Sequence, residues 1–159
     1  MRTLRRVLLD SSVYGAAIED EASYEPDTDR YWDTVYSKTL LRMSNKLKIY
    51  GCPPVQEELS EAPRELREKL LGLYREAKPL RISDSVLELE ARYTHAGIFP
   101  PDALIASYAS AYRLDAFVTV NRRHLRRIET ARRISAVNRR LRLRSLRILL
   151  PGELLELFS

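Results

Sequence analysis

An α/β fold around a mostly parallel sheet is predicted by three features of the sequence. Short apolar runs of strand length alternate with longer segments whose apolar residues recur at helical spacing. Most of the connections between the short runs are too long for hairpins, as βα units require. Prolines and capping residues stand where the helical segments begin.

The elements follow in order. The apolar segment over residues 4–9 stops at Asp10 and reads as a buried strand feeding the turn Asp10-Ser11-Ser12. A serine can cap the helix that starts near Val13. Residues 19–33 are polar and acidic around Pro26, which predicts an exposed loop. Trp32, Val35, Tyr36, Met43 and Leu47 then share one face of a helix expected over 30–46. A short strand is expected over 48–51, and Pro53-Pro54 opens a helix carrying Glu57 and Glu58. Pro63 starts another helix, with Leu66, Leu70, Leu73 and Tyr74 on its apolar side. A strand is expected over 80–82 and a helix over 83–96, stopped by Gly97. Phe99-Pro100-Pro101 leads through Asp102 into a helix with Leu104, Ile105, Tyr108, Ala109 and Tyr112 on one side. Residues 116–120 form the clearest β-run, ending at Asn121. Residues 146–150 are the final strand, and Pro151 opens a closing helix through Phe158.

Length and composition bound the rest. At 159 residues with 45% hydrophobic content, the chain is expected to be a single domain, 1–159, with a real core. One cysteine, Cys52, excludes an internal disulfide, and with two histidines it excludes the usual zinc-finger spacings. No apolar run approaches the roughly 20 residues that cross a bilayer, and the start is too short in apolar residues for a signal peptide. The expectation is a soluble, cytoplasmic protein with no membrane association.

The net charge of +5 conceals an asymmetry. Residues 122–147 hold eleven arginines and one acid, Glu129, so this stretch carries +10 and the remainder −5. Arginine forks match phosphate geometry, so nucleic acid is the functional reading. A solvated face or a patch for an acidic partner protein is the alternative.

In an open α/β sheet, ligands bind beyond the carboxyl ends of the strands. Asp10 follows one strand, and Thr119 and Asn121 end another. Asp102 begins the helix that feeds the second strand, and Glu57 and Glu58 follow a third. Such oxygen donors suit Mg²⁺ or Mn²⁺. Position alone leaves second readings open: Asp10 and Asp102 as helix caps, Glu57 or Glu58 as first-turn acids, Asn121 as a turn residue. Asp115 is excluded as a ligand, because at about 3.3 Å per residue it lies roughly 17 Å away at the other end of its strand. His95 and His124 read as surface residues and Cys52 as a packed small hydrophobe.

Together these segments resemble a PIN domain. The resemblance is carried by Leu8-Leu9-Asp10-Ser11-Ser12, Val55-Gln56-Glu57-Glu58-Leu59, Pro101-Asp102-Ala103-Leu104-Ile105-Ala106, and the run from Phe117-Val118-Thr119-Val120-Asn121 through Arg122-Arg123-His124-Leu125. Leu149-Leu150-Pro151-Gly152-Glu153-Leu154-Leu155 is similar to the family's closing strand and helix. The resemblance spans the chain in order and implies a three-layer α/β/α PIN-like domain and a metal-dependent ribonuclease. It implies Asp10, Glu58 and Asp102 as metal-binding acids, with Glu58 preferred over Glu57 because it directly precedes Leu59. Asn121 falls where many members carry a fourth aspartate, which lowers the charge of the site by one. Thr119 would orient the neighbouring acids, and Ser11 and Ser12 would add hydroxyl or backbone contacts. Arg122, Arg123, Arg126 and Arg127 would hold the RNA backbone. The nearest subgroup in appearance is VapC-like, the toxin half of a toxin–antitoxin pair, with residues 134–146 resembling archaeal members. It implies a small antitoxin partner and a homodimer. A non-catalytic RNA-binding or assembly module on the same fold is the alternative.

Overall fold

The computed structural model describes residues 5–43, 45–123 and 128–158. Leu4, His124, Arg126 and Arg127, which carried sequence expectations, lie outside the described residues. Five parallel strands form one sheet in the order β3-β2-β1-β4-β5. They are β1 (Arg6–Leu9), β2 (Lys48–Gly51), β3 (Lys78–Pro79), β4 (Ala116–Val118) and β5 (Arg147–Leu149). The described helices are α1 (Ser11–Ala17), α2 (Asp29–Leu41), α3 (Pro53–Ser60), α4 (Arg64–Tyr74), α5 (Asp84–His95), α6 (Pro100–Ala111), α7 (Ile128–Arg140) and α8 (Pro151–Glu156).

The strand order is the consequence that matters for function. The chain adds β2 and β3 on one side of β1, then crosses to add β4 and β5 on the other. Right-handed crossovers therefore put the helices before and after that reversal on opposite faces. Accordingly α2 packs with α1 and α8, while α5 packs with α6 and α7. The result is the predicted three-layer α/β/α arrangement, with the sheet wholly rather than mostly parallel. The reversal also opens a crevice between the carboxyl ends of β1 and β4, where loops diverge to opposite faces.

The sheet is buried on both faces: Val7, Leu8, Leu9, Ala116, Phe117 and Val118 have no exposed surface. That is why the strands are apolar runs rather than alternating ones. Prolines open α3, α6 and α8 as expected. Gly97 stops α5 with φ +91°, a left-handed conformation that leaves Ile98 N–H to reach Tyr93 O at 3.0 Å.

Several local expectations shift, each for a traceable reason. β3 lies at Lys78–Pro79 rather than 80–82. Its partner β2 ends at Gly51, and Leu80 N–H makes the last bond, to Gly51 O at 2.8 Å. Cys52 is followed by two prolines that have no N–H to offer, so 81–82 find no ladder. The acidic stretch over 19–33 is largely organised. A 3₁₀ turn spans Glu21–Ser23, Lys38 Nζ lies 2.6 Å from Glu21 Oε2, and Thr28 caps α2 one residue before Asp29. α2 stops at Leu41, short of the expected 46, and buries Thr34, Ser37 and Leu40 instead of the aromatic stripe. Small side chains let α2 approach its neighbours closely, with Gly152 of α8 directly beneath the Tyr36 ring. Trp32 and Tyr36 stack on the flank at 5.2 Å, leaving Trp32 37% exposed.

The sequence reading expects no helix where α7 lies, within the arginine-rich stretch. Arginines dominate it, yet Ile134 is fully buried, and so is Asn138, which hydrogen-bonds Tyr93 of α5 and Ser110 of α6. Ile128, Ala131, Ile134, Val137 and Leu141 recur every three or four residues, a signal present in the sequence beneath the charge.

Candidate functional site

Asp10 is the first residue past β1, and its backbone N–H reaches across to Val118 O at 2.9 Å. That bond fixes it beside the end of β4. It occupies the N-cap position of α1, but its side chain caps nothing. Instead Oδ2 accepts from Ser12 Oγ at 2.7 Å and from Thr119 Oγ1 at 3.0 Å. The capping reading of Asp10 is thereby answered: its carboxylate is turned into the crevice.

β4 ends before Thr119, two residues earlier than the β-run suggested, because side-chain hydroxyls take over its backbone donors. Val120 N–H donates to Ser12 Oγ at 3.3 Å and Asn121 N–H to Thr119 Oγ1 at 3.0 Å. Thr119, 1% exposed, therefore joins two tasks: it donates to Asp10 and sets the turn that carries Asn121. Asn121 Oδ1 accepts from Arg123 N–H at 3.0 Å, so its turn role is real. Its side chain still lines the crevice.

Glu58 sits on α3, the helix that the Pro53-Pro54 start aims at the same edge. Ser11 Oγ donates to Glu58 Oε2. Glu57 does not line the crevice, so of the two acids Glu58 is the one brought to it. Asp102 stands in the first turn of α6, where Phe99 rather than Asp102 is the N-cap, and it is 9% exposed. Asp10, Ser11, Ser12, Glu58, Asp102, Thr119 and Asn121, with Phe99, Pro101 and Ile105, surround one cavity of about 260 Å³.

The residues present are suited in type to a hard divalent cation: carboxylate and amide oxygens with hydroxyls behind them. The hydrogen bonds described for Asp10 and Glu58 each fall on one oxygen of the carboxylate. Convergence is incomplete, however. Among the described residues, no three acidic, histidine or cysteine side chains stand close enough to form a ready-made metal site. The donor set fits in residue type, and the three carboxylates line one cavity without closing into a shell.

Cys52, the residue before α3, is fully buried. Burial first, then the nearby charges of Asp10 and Glu58, push its thiol up to about 12. It is an inert packing group, as expected. Asp115 is at the far end of β4, where Oδ2 caps the N–H groups of Arg5 and Arg6 at 3.0 and 2.9 Å and Oδ1 meets Arg144 at 2.7 Å. Its exclusion from the site holds. His95 is exposed on α5, away from the cavity.

Arg122 departs from the simple picture of a phosphate clamp. Its guanidinium forms a two-pronged pair with Asp33 of α2, at 2.9 and 3.0 Å, and lies 3.9 Å from Asp29. The hydrogen bond to Asp33 raises its already high pKa. No local pattern could have announced this contact across 89 positions of sequence. Arg123 is exposed beside it.

Compared by sequence, the chain matches no protein-family model and no curated protein. Compared by structure, it is similar to a chain in the DNA-bound VapBC complex of Salmonella typhimurium, with a TM-score of 0.58 and 14% identity over 92% of this chain and 98% of that one. It is similarly related to a chain in VapBC2 of Rickettsia felis bound to a promoter DNA fragment, with a TM-score of 0.53 and 18% identity over 91% of this chain and 98% of that one. At these identities the likeness is one of fold, and the fold is PIN-like.

Proposed function

We propose that this protein is a metal-dependent endoribonuclease of the VapC type, the toxin half of a toxin–antitoxin pair. The observation that carries the reading is the cavity at the β1–β4 crevice, which Asp10, Glu58 and Asp102 line together with Thr119 and Asn121. Three acids from three separate parts of the chain border one cavity at the edge where this sheet topology binds ligands. The VapBC neighbours support a small antitoxin protein as partner.

Mg²⁺ or Mn²⁺, when bound by Asp10, Glu58 and Asp102, would supply charge neutralisation at a phosphodiester. Ser12 and Thr119 hold the Asp10 carboxylate in one orientation, and Ser11 holds Glu58. Asn121 adds a neutral oxygen where a further carboxylate would repel the phosphate. Arg123, with the arginines that follow, supplies the positive field that draws in RNA.

The test is Mn²⁺-dependent cleavage of mixed structured and single-stranded RNA, with Asp102→Asn beside the wild type. Cleavage is expected in the wild type and lost in the folded mutant. A non-catalytic RNA-binding or assembly module is the second reading, favoured by the incomplete convergence of the three acids. Absence of both cleavage and calorimetric Mn²⁺ binding would decide for it.

A further inference from the structure

Among the residues lining the cavity is a large apolar side chain that is more than half exposed. Phe99 lines the same space as Asp10, Glu58 and Asp102, yet it is 56% exposed. It is the N-cap residue of α6, but its side chain makes no capping bond. Pro100 and Pro101 follow it at the first two positions of the helix. They restrict the backbone on either side of the junction, so the ring is presented from a stiff turn rather than a loose loop.

The contrast between the polar walls and the ring sets what the ring is for. The cavity measures about 260 Å³ and is walled largely by carboxylates, hydroxyls and an amide. That is below the roughly 300–1,000 Å³ of a pocket that encloses a small molecule. A phosphodiester suits the polar interior of such a space, and the apolar face of a base is better matched at its rim. With the phosphate seated among the acids, an adjoining base directed to the mouth meets Phe99. Every base has a π-face, so an aromatic platform there grips without reading sequence. A base reaches such a platform only after leaving its helical stack.

Resting on the ribonuclease reading, we propose that Phe99 stacks a base adjoining the scissile phosphate and so selects single-stranded over double-stranded RNA. Asn121 and Arg123 contact the polar side of the same strand, while Phe99 distinguishes an unstacked base from a paired one.

The experiment measures binding by fluorescence anisotropy, with Ca²⁺ in place of Mn²⁺ so that binding is read without cleavage. The probes are a short mixed-sequence single-stranded RNA and the same strand annealed to its complement, each with a fluorescent end label. Wild type is compared with Phe99→Ala, Phe99→Leu and Phe99→Tyr, all checked for native folding by circular dichroism. Stacking predicts that Ala and Leu weaken single-strand binding by about 5- to 100-fold, while Tyr preserves it. Duplex binding should be weak and the same in all four proteins. Leu binding as well as wild type would overturn the proposal, because apolar bulk without a π-face would then suffice. So would equal losses on single strand and duplex. Wild-type binding that is indifferent to residue 99 overturns stacking alone and leaves the ribonuclease reading standing. A wild type that binds neither RNA overturns both.

Discussion

A carboxylate at a strand end is useful only if something holds it still, and here that duty falls on hydroxyls. Asp10 Oδ2 receives Ser12 and Thr119, while Thr119 Oγ1 also receives Asn121 N–H. One threonine thus controls the orientation of a proposed ligand and the backbone of the turn opposite it. Thr119→Val keeps the shape but removes the hydroxyl, leaving Asn121 N–H without its acceptor. Loss of such an outer support costs about 10- to 100-fold in metal affinity or activity. The expected result is a folded protein with weakened Mn²⁺ binding by calorimetry and a matching loss of cleavage. Thr119→Ser, which restores the hydroxyl, should recover most of both. Unchanged Mn²⁺ affinity in the valine variant would show that Thr119 serves packing only. The sequence made these residues visible because each stands next to a strand end, where residue type and position together carry meaning.

At the scale of elements, α2 and the turn after β4 govern what the arginine-rich stretch can do. Arg122 is the first of its eleven arginines, but α2 neutralises it through Asp33, which is 13% exposed in the pair. The guanidinium is 38% exposed, so solvent screening keeps the pair's contribution to stability small, about 1 kcal/mol or less. Its effect on the field at the crevice is larger. Asp33→Asn frees a cation, and RNA binding should tighten at low salt. The slope of log K against log salt should steepen by about 0.7 for single-stranded RNA if the freed guanidinium meets one phosphate. Arg122→Ala in the wild type should cost little, because that charge is already spent on Asp33. A large loss in Arg122→Ala with no gain in Asp33→Asn would show that RNA breaks the pair on binding. Local patterning could not reveal this contact, and for α7 it was obscured in another way. There the arginines hid a helix whose buried side is only one residue in three or four wide. On α2 the aromatic stripe advertised a buried face, whereas close helix approach selected Thr34, Ser37 and Leu40 for the interior. Periodicity identifies that a helix exists; it does not say which side wins when small residues permit closer packing.

For the whole molecule, the legible part of the fold is its alternation and strand ends, because both are local. The strand order and the reversal at β1 are long-range, and they determine which acids meet. The same core also sets how the fold answers to alkali. Burial drives Cys52 up to about 12 from an ordinary 9.0, and Tyr74 up to about 12 from 10.0; Tyr14 is raised too, again mainly by burial. Each group must keep its proton in the folded state and can lose it when unfolded. Below its ordinary value both states bind the proton, so the folded state keeps the full advantage of burying a neutral group. Between the unfolded and folded values only the unfolded chain releases it, so stability falls as pH rises, by up to about 1.4 kcal/mol per pH unit for each group. The urea midpoint should therefore be flat through neutral pH and decline from about pH 9 upward. Between pH 9 and 10 the unfolded thiol goes from half to mostly deprotonated while each unfolded tyrosine is still at least half protonated, so the thiol makes the largest single contribution to the decline there. Cys52→Ala should lower stability at neutral pH through lost packing, yet show a shallower fall across that first unit. Equal slopes in the two proteins would mean that the thiol does not experience the burial its position implies. The comparison removes the thiol alone and leaves Asp10 and Glu58, whose charges help to raise it, in place.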